Sequence, residues 1–461
     1  MIDLIYQNTK YQYLNLQISQ SLKQINKDFT LVGMVQLGDI KSISKCINNN
    51  IEKIFFFHNN LTLFTRYHIY LNSLLELKKI NTIKKLLNYK KNYISLGKII
   101  YDQAIKLFNV GSIKTINKNF FSILVKALLA ENSSNKIFSS KKILFLVQAE
   151  KHWIPANIIF QNALKYKTNV LCRIGDEKSF STRLYNDFSK NFQNKAKISN
   201  KLFNYVYKKI NSKKINYLTN KLLKVRFNRN LLCNQKKIKN KFCKEFNISP
   251  KKPLVCIYSN NLTDGIYSNS WQIFQDNLTW LLNTLNICIK KTKINWIIKA
   301  HPLDNKKTNI RTTQEYIVDI VKKSKNIIFL DHDNSNSKIL HNIIDVGITA
   351  HGSVSVELPS IGIPCIIAGE SFSSGHGFNI EPRNMAEYFQ KLKNIEKLKK
   401  LNKSKIYKAR VFYFIYNYLI KFKFAKNNLY LNREFLKSLK NQIYNKFRHP
   451  INEKYKKFFN S

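Results

Sequence analysis

The chain lacks any close pairing of its cysteines. Cys46, Cys172, Cys233, Cys243, Cys256, Cys288 and Cys365 stand apart with no CxxC among them. An odd, scattered set excludes a disulfide framework and a zinc ribbon, and predicts reduced, mostly buried thiols in a cytoplasmic protein. Long apolar runs are missing as well: no window reaches the about eighteen residues of a membrane span. The N-terminal MIDLIYQNTKYQYLNLQ has acid and polar residues where a signal peptide needs a continuous apolar stretch. The nearest approach to such a run is VFYFIYNYLI (residues 411–420), short and flanked by basic residues. It reads as a core or interface helix, with peripheral membrane attachment as the alternative. No internal repeat is present, and low complexity is confined to Asn and Lys enrichment.

Acidic residues are also scarce, 27 against 78 Lys and Arg, which leaves a formal charge of +51. Such an excess suggests an anionic partner. The lysines are spread over the whole length beside Asn and Ile, however, and a dedicated polyanion site would concentrate them on one face or arm. Compositional bias is therefore the favoured explanation, no specific nucleic-acid partner is expected, and long-range attraction to anionic lipid, nucleotide or sugar acid follows either way.

What is present is core material. With 461 residues, 44% of them apolar, and 31 Phe and 24 Tyr, the chain can bury two cores and an appendage. Strand patterns in LVGMVQLGDI and IEKIFFFHNN, helical spacing at residues 73–89, a buried strand in KKILFLVQAEKHW, a helix at 154–165 and the strand TNVLCRIGD make a first α/β domain. Residues 190–250 turn strongly basic and read as a helical linker ending near Pro250 and Pro253. PLVCIYSNN, INWIIKAHP, KNIIFLD, IIDVGITAHGS and GIPCIIAGE then alternate with helices, among them a long amphipathic one predicted in WQIFQDNLTWLLNTLNICIKK. The expected organisation is an N-terminal α/β domain over 1–250 including that linker, a doubly wound C-terminal domain over 251–390, and a helical segment over 391–461 that crosses back onto the first domain.

Three stretches carry chemistry. In IIKAHPL (residues 297–303) strand alternation sends Lys299 and His301 to one side, and Pro302 stops the ladder. Both then sit at the carboxyl edge of a parallel sheet, where a fixed cation and a titratable donor suit a phosphate or carboxylate. A strand-end histidine capping a loop is the structural alternative. In DVGITAHGSVSVELPSIGIPCIIAG (residues 345–369) a strand gives way to a small-residue turn and a short helix from about Val354. Free N–H groups and the Ser353 hydroxyl would form an anion site there, with Gly352 admitting a phosphate to the backbone and Glu357 accepting ribose hydroxyls. An ordinary helix start, capped by Ser and favouring Glu, explains the same residues. Third, GESFSSGHGFNIEP (residues 369–382) is a polar loop whose Ser374, Gly375 and His376 could close over a sugar.

Taken in order, IIKAHP, HGSVSVE, GIPCIIAGESFSSGHGF and AEYF resemble the bacterial capsule polysaccharide biosynthesis family, which includes capsular Kdo transferases. SNNLTDGIYSNSWQIFQDNLTWLLNTL resembles the stretch preceding the His-Pro motif, with Asp264 at a recurrent acidic position, and LGKIIYD (residues 96–102) resembles an N-terminal motif. The similarity is concentrated at residues 250–390. It implies a GT-B-like glycosyltransferase of two Rossmann-like domains facing a cleft. The donor implied is a nucleotide-activated sugar, of which a CMP-linked sugar acid such as Kdo is the first choice, with His301, Lys299 and Ser353 at phosphate and Glu357 on ribose. It implies no cofactor and no metal, a glycan or glycolipid acceptor, and a place at the inner face of the membrane. Acid candidates for the acceptor base are Asp102, Glu150 and Asp176, with Glu150 and His152 preferred as a pair sharing a strand-end face. Arg173 and Arg183 are candidates to meet an acidic acceptor, with a surface helix as the equal alternative. An epimerase on the same architecture and a non-catalytic polyanion-binding protein are the competing readings.

Overall fold

The computed structural model describes residues 1–5, 9–175, 179–227, 235–267, 270–305, 310–334, 339–422, 433–444 and 448–458. Two sheets organise them. The first contains β1 (Ile2–Asp3), β2 (Val32–Gln36), β3 (Lys53–Phe57), β4 (Phe145–Gln148), β5 (Asn169–Gly175) and β6 (Phe180–Tyr185), in the order β3-β2-β1-β4-β5-β6. All its pairings are parallel except β5 with β6, which runs antiparallel at the edge. The second contains β7 (Leu254–Tyr258), β8 (Asn295–Lys299), β9 (Ile327–Leu330), β10 (Val346–Thr349) and β11 (Cys365–Ile367), ordered β11-β10-β7-β8-β9 and wholly parallel.

Within each sheet chain order reverses beside the first strand, between β1 and β4 in one and between β7 and β10 in the other. In an open α/β sheet the connections leave opposite faces at such a switch, which opens a crevice at the carboxyl ends of the two strands. The fold class is the expected one: two Rossmann-like domains with substantial helix. β7 and β8 are buried along their whole length, so the apolar runs PLVCIY and INWII are what a strand covered on both faces requires. β1 and β6 carry no clear pattern in sequence. β1 has only two residues, and β6 is buried despite Ser181, Thr182 and Arg183.

Several helices differ from their sequence patterns. The spacing at 73–89 resolves into Leu63–Lys79 and Ile83–Asn88, capped by Thr62 and Thr82. The long helix expected from Trp271 begins only at Asn277, where Asp276 accepts the Thr279 N–H and fixes the first turn. The basic helices between the sheets do more than connect. Asn200–Lys209 and Ser212–Phe227 pack on Lys403–Phe414, and Gln235–Glu245 buries Phe242 and Cys243 against the second sheet. The apolar stretch 411–420 is core, with Phe412, Phe414, Ile415 and Leu419 no more than 1% exposed, which removes it as a membrane contact. Beyond it the chain crosses back onto the first sheet: Phe422 bridges Phe180, Leu184 N–H donates to the Arg448 carbonyl, and Thr182 bonds Gln442. All six described cysteines are free and buried, and no described helix is long and apolar enough to cross a membrane.

The LGKIIYD stretch shows what close packing requires of one glycine. Gly97 opens the helix Leu96–Phe108 against the end of Ile83–Asn88, and a Cβ there would lie 1.5 Å from the Leu86 carbonyl oxygen and 2.7 Å from its carbon. Backbone cannot swing away as a side chain can. Gly97→Ala is therefore expected to lower stability by about 2–3 kcal/mol, read as a shift of the urea midpoint at unchanged slope.

Candidate functional site

At the β7/β10 switch a cleft of about 380 Å³ opens on the carboxyl edge of the second sheet. Its walls come from the segments that leave the strands: Tyr258, Ser259 and Asn260 after β7, Lys299 and His301 after β8, Thr349, Gly352, Ser353 and Glu357 after β10. Five of the residues singled out in sequence, Lys299, His301, Gly352, Ser353 and Glu357, thus meet in one cavity. A larger hollow of about 580 Å³ lies at the opposite, amino-terminal edge of the first sheet, among Met1, Phe29, Lys53 and Phe145, and contains none of them.

His301 is oriented from both sides. Its backbone N–H donates to Ser259 Oγ at 3.1 Å, and its Nδ1 accepts the Leu303 N–H at 3.2 Å. Burial pushes the imidazole below its ordinary value; Asp264 and Asp304 counter that, and Lys299 adds to it. A neutral ring whose Nδ1 is an acceptor carries its proton on Nε2, so His301 offers a hydrogen-bond donor without a full charge. Asp264 is exposed and acts electrostatically on both His301 and the neighbouring His351.

Lys299 reaches the cavity but is already occupied. Its Nζ donates to the carbonyls of Ala300, Asp331 and His332 at 3.2, 2.8 and 3.1 Å. All three ammonium protons are directed to backbone, so Lys299 ties the ends of β8 and β9 together and contributes field to the cleft, not a direct bond to a phosphate. The expected anion nest after β10 is also reduced. The helix there is only Val354–Glu357, Ser353 makes no side-chain cap, and the Gly352 N–H donates to Thr349 Oγ1 at 3.1 Å.

Glu357 is an incompletely satisfied carboxyl on the cleft wall. It is 5% exposed, its Oε1 lies 3.3 Å from Arg226 Nε, and its Oε2 has no hydrogen-bond partner. Burial raises its carboxyl above the usual range while Arg226 and Ser353 pull the other way. A buried acceptor left open on a cavity wall is where a ligand hydroxyl or N–H gains most. Both ring nitrogens of His341, stacked on Phe227 at 4.1 Å, are likewise unpartnered on the same wall.

Nothing in the sequence singles out Arg226. It sits in the lysine-rich segment read as a linker, and only the packing of Ser212–Phe227 on Lys403–Phe414, through Arg410 to Asn216 at 2.7 Å, delivers it to the cleft. The available signal is an arginine among lysines, which periodicity does not distinguish.

The first domain's candidates separate. Asp102 is fully buried, and its Oδ1 accepts the N–H groups of Ile266 at 3.0 Å and Tyr267 at 3.3 Å. Beside it Tyr101 and Ser112 donate to Asp276 Oδ2 at 2.7 and 2.6 Å. These bonds tie the first domain to the loop after β7, so Asp102 is a latch between the domains, with its Oδ1 turned to backbone. Glu150 leaves β4 at the first sheet's switch point. It pairs with His152 Nδ1 and with Lys195 Nζ, the latter at 3.1 Å. Burial opposes its charge, but His152 and Lys195 outweigh that and hold the carboxyl well below its usual range. As a proton acceptor Glu150 is weak; as an anion that orients His152 it is well placed. Lys197, two residues beyond Lys195, pairs with Glu370 of the second domain, which sets this group at the domain interface.

Arg183 and Arg173 are corrected as acceptor contacts. Arg183 is fully buried with its guanidinium on the carbonyls of Asn194 and Lys197, and Arg173 is 4% exposed over the Tyr11 ring. Asp176 lies outside the described residues. In the loop 369–382 Ser374 and His376 are buried, while Gly375 is exposed. His376 is 5% exposed among Phe203, Phe378 and Phe412, Ser374 Oγ accepts the Ser371 N–H, and the Gly375 N–H donates to Glu381. Gly375 has φ +89°, a conformation that suits glycine. Among the described residues one trio has metal-ligand chemistry, Asp331, His332 and Asp333 after β9, with ligand atoms within 4.8 Å of one another. Its two carboxylates are exposed, as acidic surface groups commonly are without an ion.

No protein-family model and no curated protein matches the chain. Among solved structures it is similar to a glycosyltransferase from Rickettsia africae ESF-5, at 13% identity and a TM-score of 0.35, covering 96% of this chain and 97% of that one. It is also similar to the KpsC β-Kdo 2,4 transferase of Thermosulfurimonas dismutans, at 12% identity and TM-score 0.32, covering 65% and 86%. A third neighbour is the UDP-GlcNAc 2-epimerase of Neisseria meningitidis, at 13% and 0.29, covering 89% and 96%. All three scores lie below 0.5, and no activity follows from likeness this loose.

Proposed function

We propose that the chain is a glycosyltransferase that moves a sugar from a nucleotide-activated donor, a CMP-linked sugar acid, to a growing surface polysaccharide or glycolipid. The observation that carries the reading is the pairing, across one switch-point cleft, of a donor with an unfilled acceptor: His301 Nε2–H and the partnerless Oε2 of Glu357. A nucleotide presents the matching chemistry, phosphate oxygens to accept from His301 and ribose hydroxyls to donate to Glu357. Departure of the sugar leaves negative charge on the phosphate, and donors already oriented toward it lower the barrier. Arg226 supplies the exposed cation of the site, at 57% side-chain exposure, and Lys299 the fixed one. On the acceptor side His152, held by Glu150, takes the hydroxyl proton. No step in this reading calls on a metal.

Calorimetric titration with CMP, UDP and GDP at about 0.3 M salt, where diffuse surface charge is screened, tests it. One nucleotide should bind saturably, and His301→Ala should weaken it about 10- to 100-fold, the worth of a hydrogen bond to a charged group. Absence of nucleotide binding alongside retained single-stranded RNA binding would sink the reading and make the +51 charge the function.

A further inference from the structure

The helix Leu63–Lys79 is built inside out. Its inward side carries Ile69 and the fully buried Ser73, whose hydroxyl turns back to the Ile69 carbonyl, and Arg66, which bonds the His58 carbonyl. Its outward side carries Leu63, Phe64, Tyr67, Leu71, Leu74 and Leu75, exposed by 82, 79, 63, 41, 43 and 56%. At about 100° per residue these six lie within roughly 120° of arc. A helix whose outer face meets water alone carries polar groups there; this one places its apolar stripe outward.

Charge around the stripe has one sign. Between residues 60 and 95 the Lys and Arg residues are Arg66, Lys78, Lys79, Lys84, Lys85, Lys90 and Lys91, and the single acid is Glu76, which pairs with Lys79 at 3.1 Å. All six lysines are exposed: Lys78 and Lys79 at the end of the apolar helix, Lys84 and Lys85 on the short helix Ile83–Asn88, and Lys90 and Lys91 just beyond it. We infer that this face docks on a bilayer containing anionic phospholipid, the helix lying in the interface plane. Leu63, Phe64 and Leu71 enter the acyl boundary while the lysines meet headgroup phosphates. A second copy of the chain would bring lysine rows against lysine rows. A nucleic acid would match the charge but leave the apolar arc in water. The surface is separate from the cleft, so the inference stands independently of the nucleotide reading.

Flotation of the full chain with phosphatidylcholine vesicles, with and without phosphatidylglycerol, tests it on wild type and on the double variant Phe64→Ser/Leu71→Ser. Both side chains point outward, so the variant's thermal unfolding and nucleotide titration should match wild type. The expected result is wild-type partitioning to anionic vesicles at least about tenfold above neutral ones, with the variant at least about tenfold below wild type. Equal binding of variant and wild type, or no wild-type preference for anionic lipid, overturns it. So does a wild-type dimer in light scattering that the variant dissociates while neither protein binds vesicles, since a second copy then covers the face.

Discussion

Asp102→Ala should cost about 2–5 kcal/mol, the penalty for leaving two backbone N–H groups without their acceptor at about 1–3 kcal/mol each. The carboxylate is fully buried, and its loss leaves the N–H groups of Ile266 and Tyr267 without this acceptor at the junction of the two domains. Denaturant unfolding should then show a lower midpoint and a broader transition, because the latch is one of several bonds that couple the domains, beside Tyr101–Asp276 and Lys197–Glu370. Asp102→Asn is the informative companion. It keeps an Oδ1 that both N–H groups can use, so it should retain most of the stability and the sharpness of the wild-type transition. A general base would respond differently: the amide cannot take a proton, so activity would vanish in the Asp102→Asn variant while its stability stayed at the wild-type level.

Acidification should destabilise the protein by about 4 kcal/mol between pH 7 and pH 5. Burial lowers His341 and His449 to about 3 and His351 and His376 to about 4, against an ordinary 6.5. The sign follows from where protons bind. Above 6.5 these rings are neutral folded and unfolded, and their contribution is fully present. Below it the unfolded chain takes protons that the native state refuses until near pH 4, so stability falls as pH falls. Each ring contributes a slope of up to about 1.4 kcal/mol per pH unit within that window. His58, lowered to about 4 at a half-buried site, adds less because solvent screens it. Asp3, which burial lifts to about 6, and the raised carboxyls of Glu357 and Glu381 oppose the trend and bring the total down. Melting temperature measured from pH 7.5 to 5 reads the effect. His376→Phe, which suits the aromatic surroundings of Phe203 and Phe412, should flatten the net slope by about half, since one ring accounts for about 2 of the about 4 kcal/mol. A flat profile, or one that rises into acid, would contradict the burial of these rings.

Sequence alone determined the elements whose patterns are local. PLVCIY and INWII read as strands because they are short, largely apolar runs of the length a strand buried on both faces takes, and the His-Pro pair ends β8 because proline cannot donate to the ladder. From that, Lys299, His301, Gly352, Ser353 and Glu357 could be assigned to one sheet edge, where the structure brings them together. Tertiary structure decided what each of them can do. Whether Lys299 is free depends on carbonyls 32 and 33 residues away, and whether Glu357 has a partner depends on Arg226 from a distant helix. Asp102 and His376 resemble, in sequence, exposed polar residues on helices and turns, yet one is a latch and the other lies among phenylalanines. Hydrogen bonds and desolvation act over a few ångströms of space regardless of separation along the chain. Side-chain type and spacing can therefore indicate where an ionisable group sits on its own element, and only the packing of other elements fixes its charge, its partners and its access to a ligand.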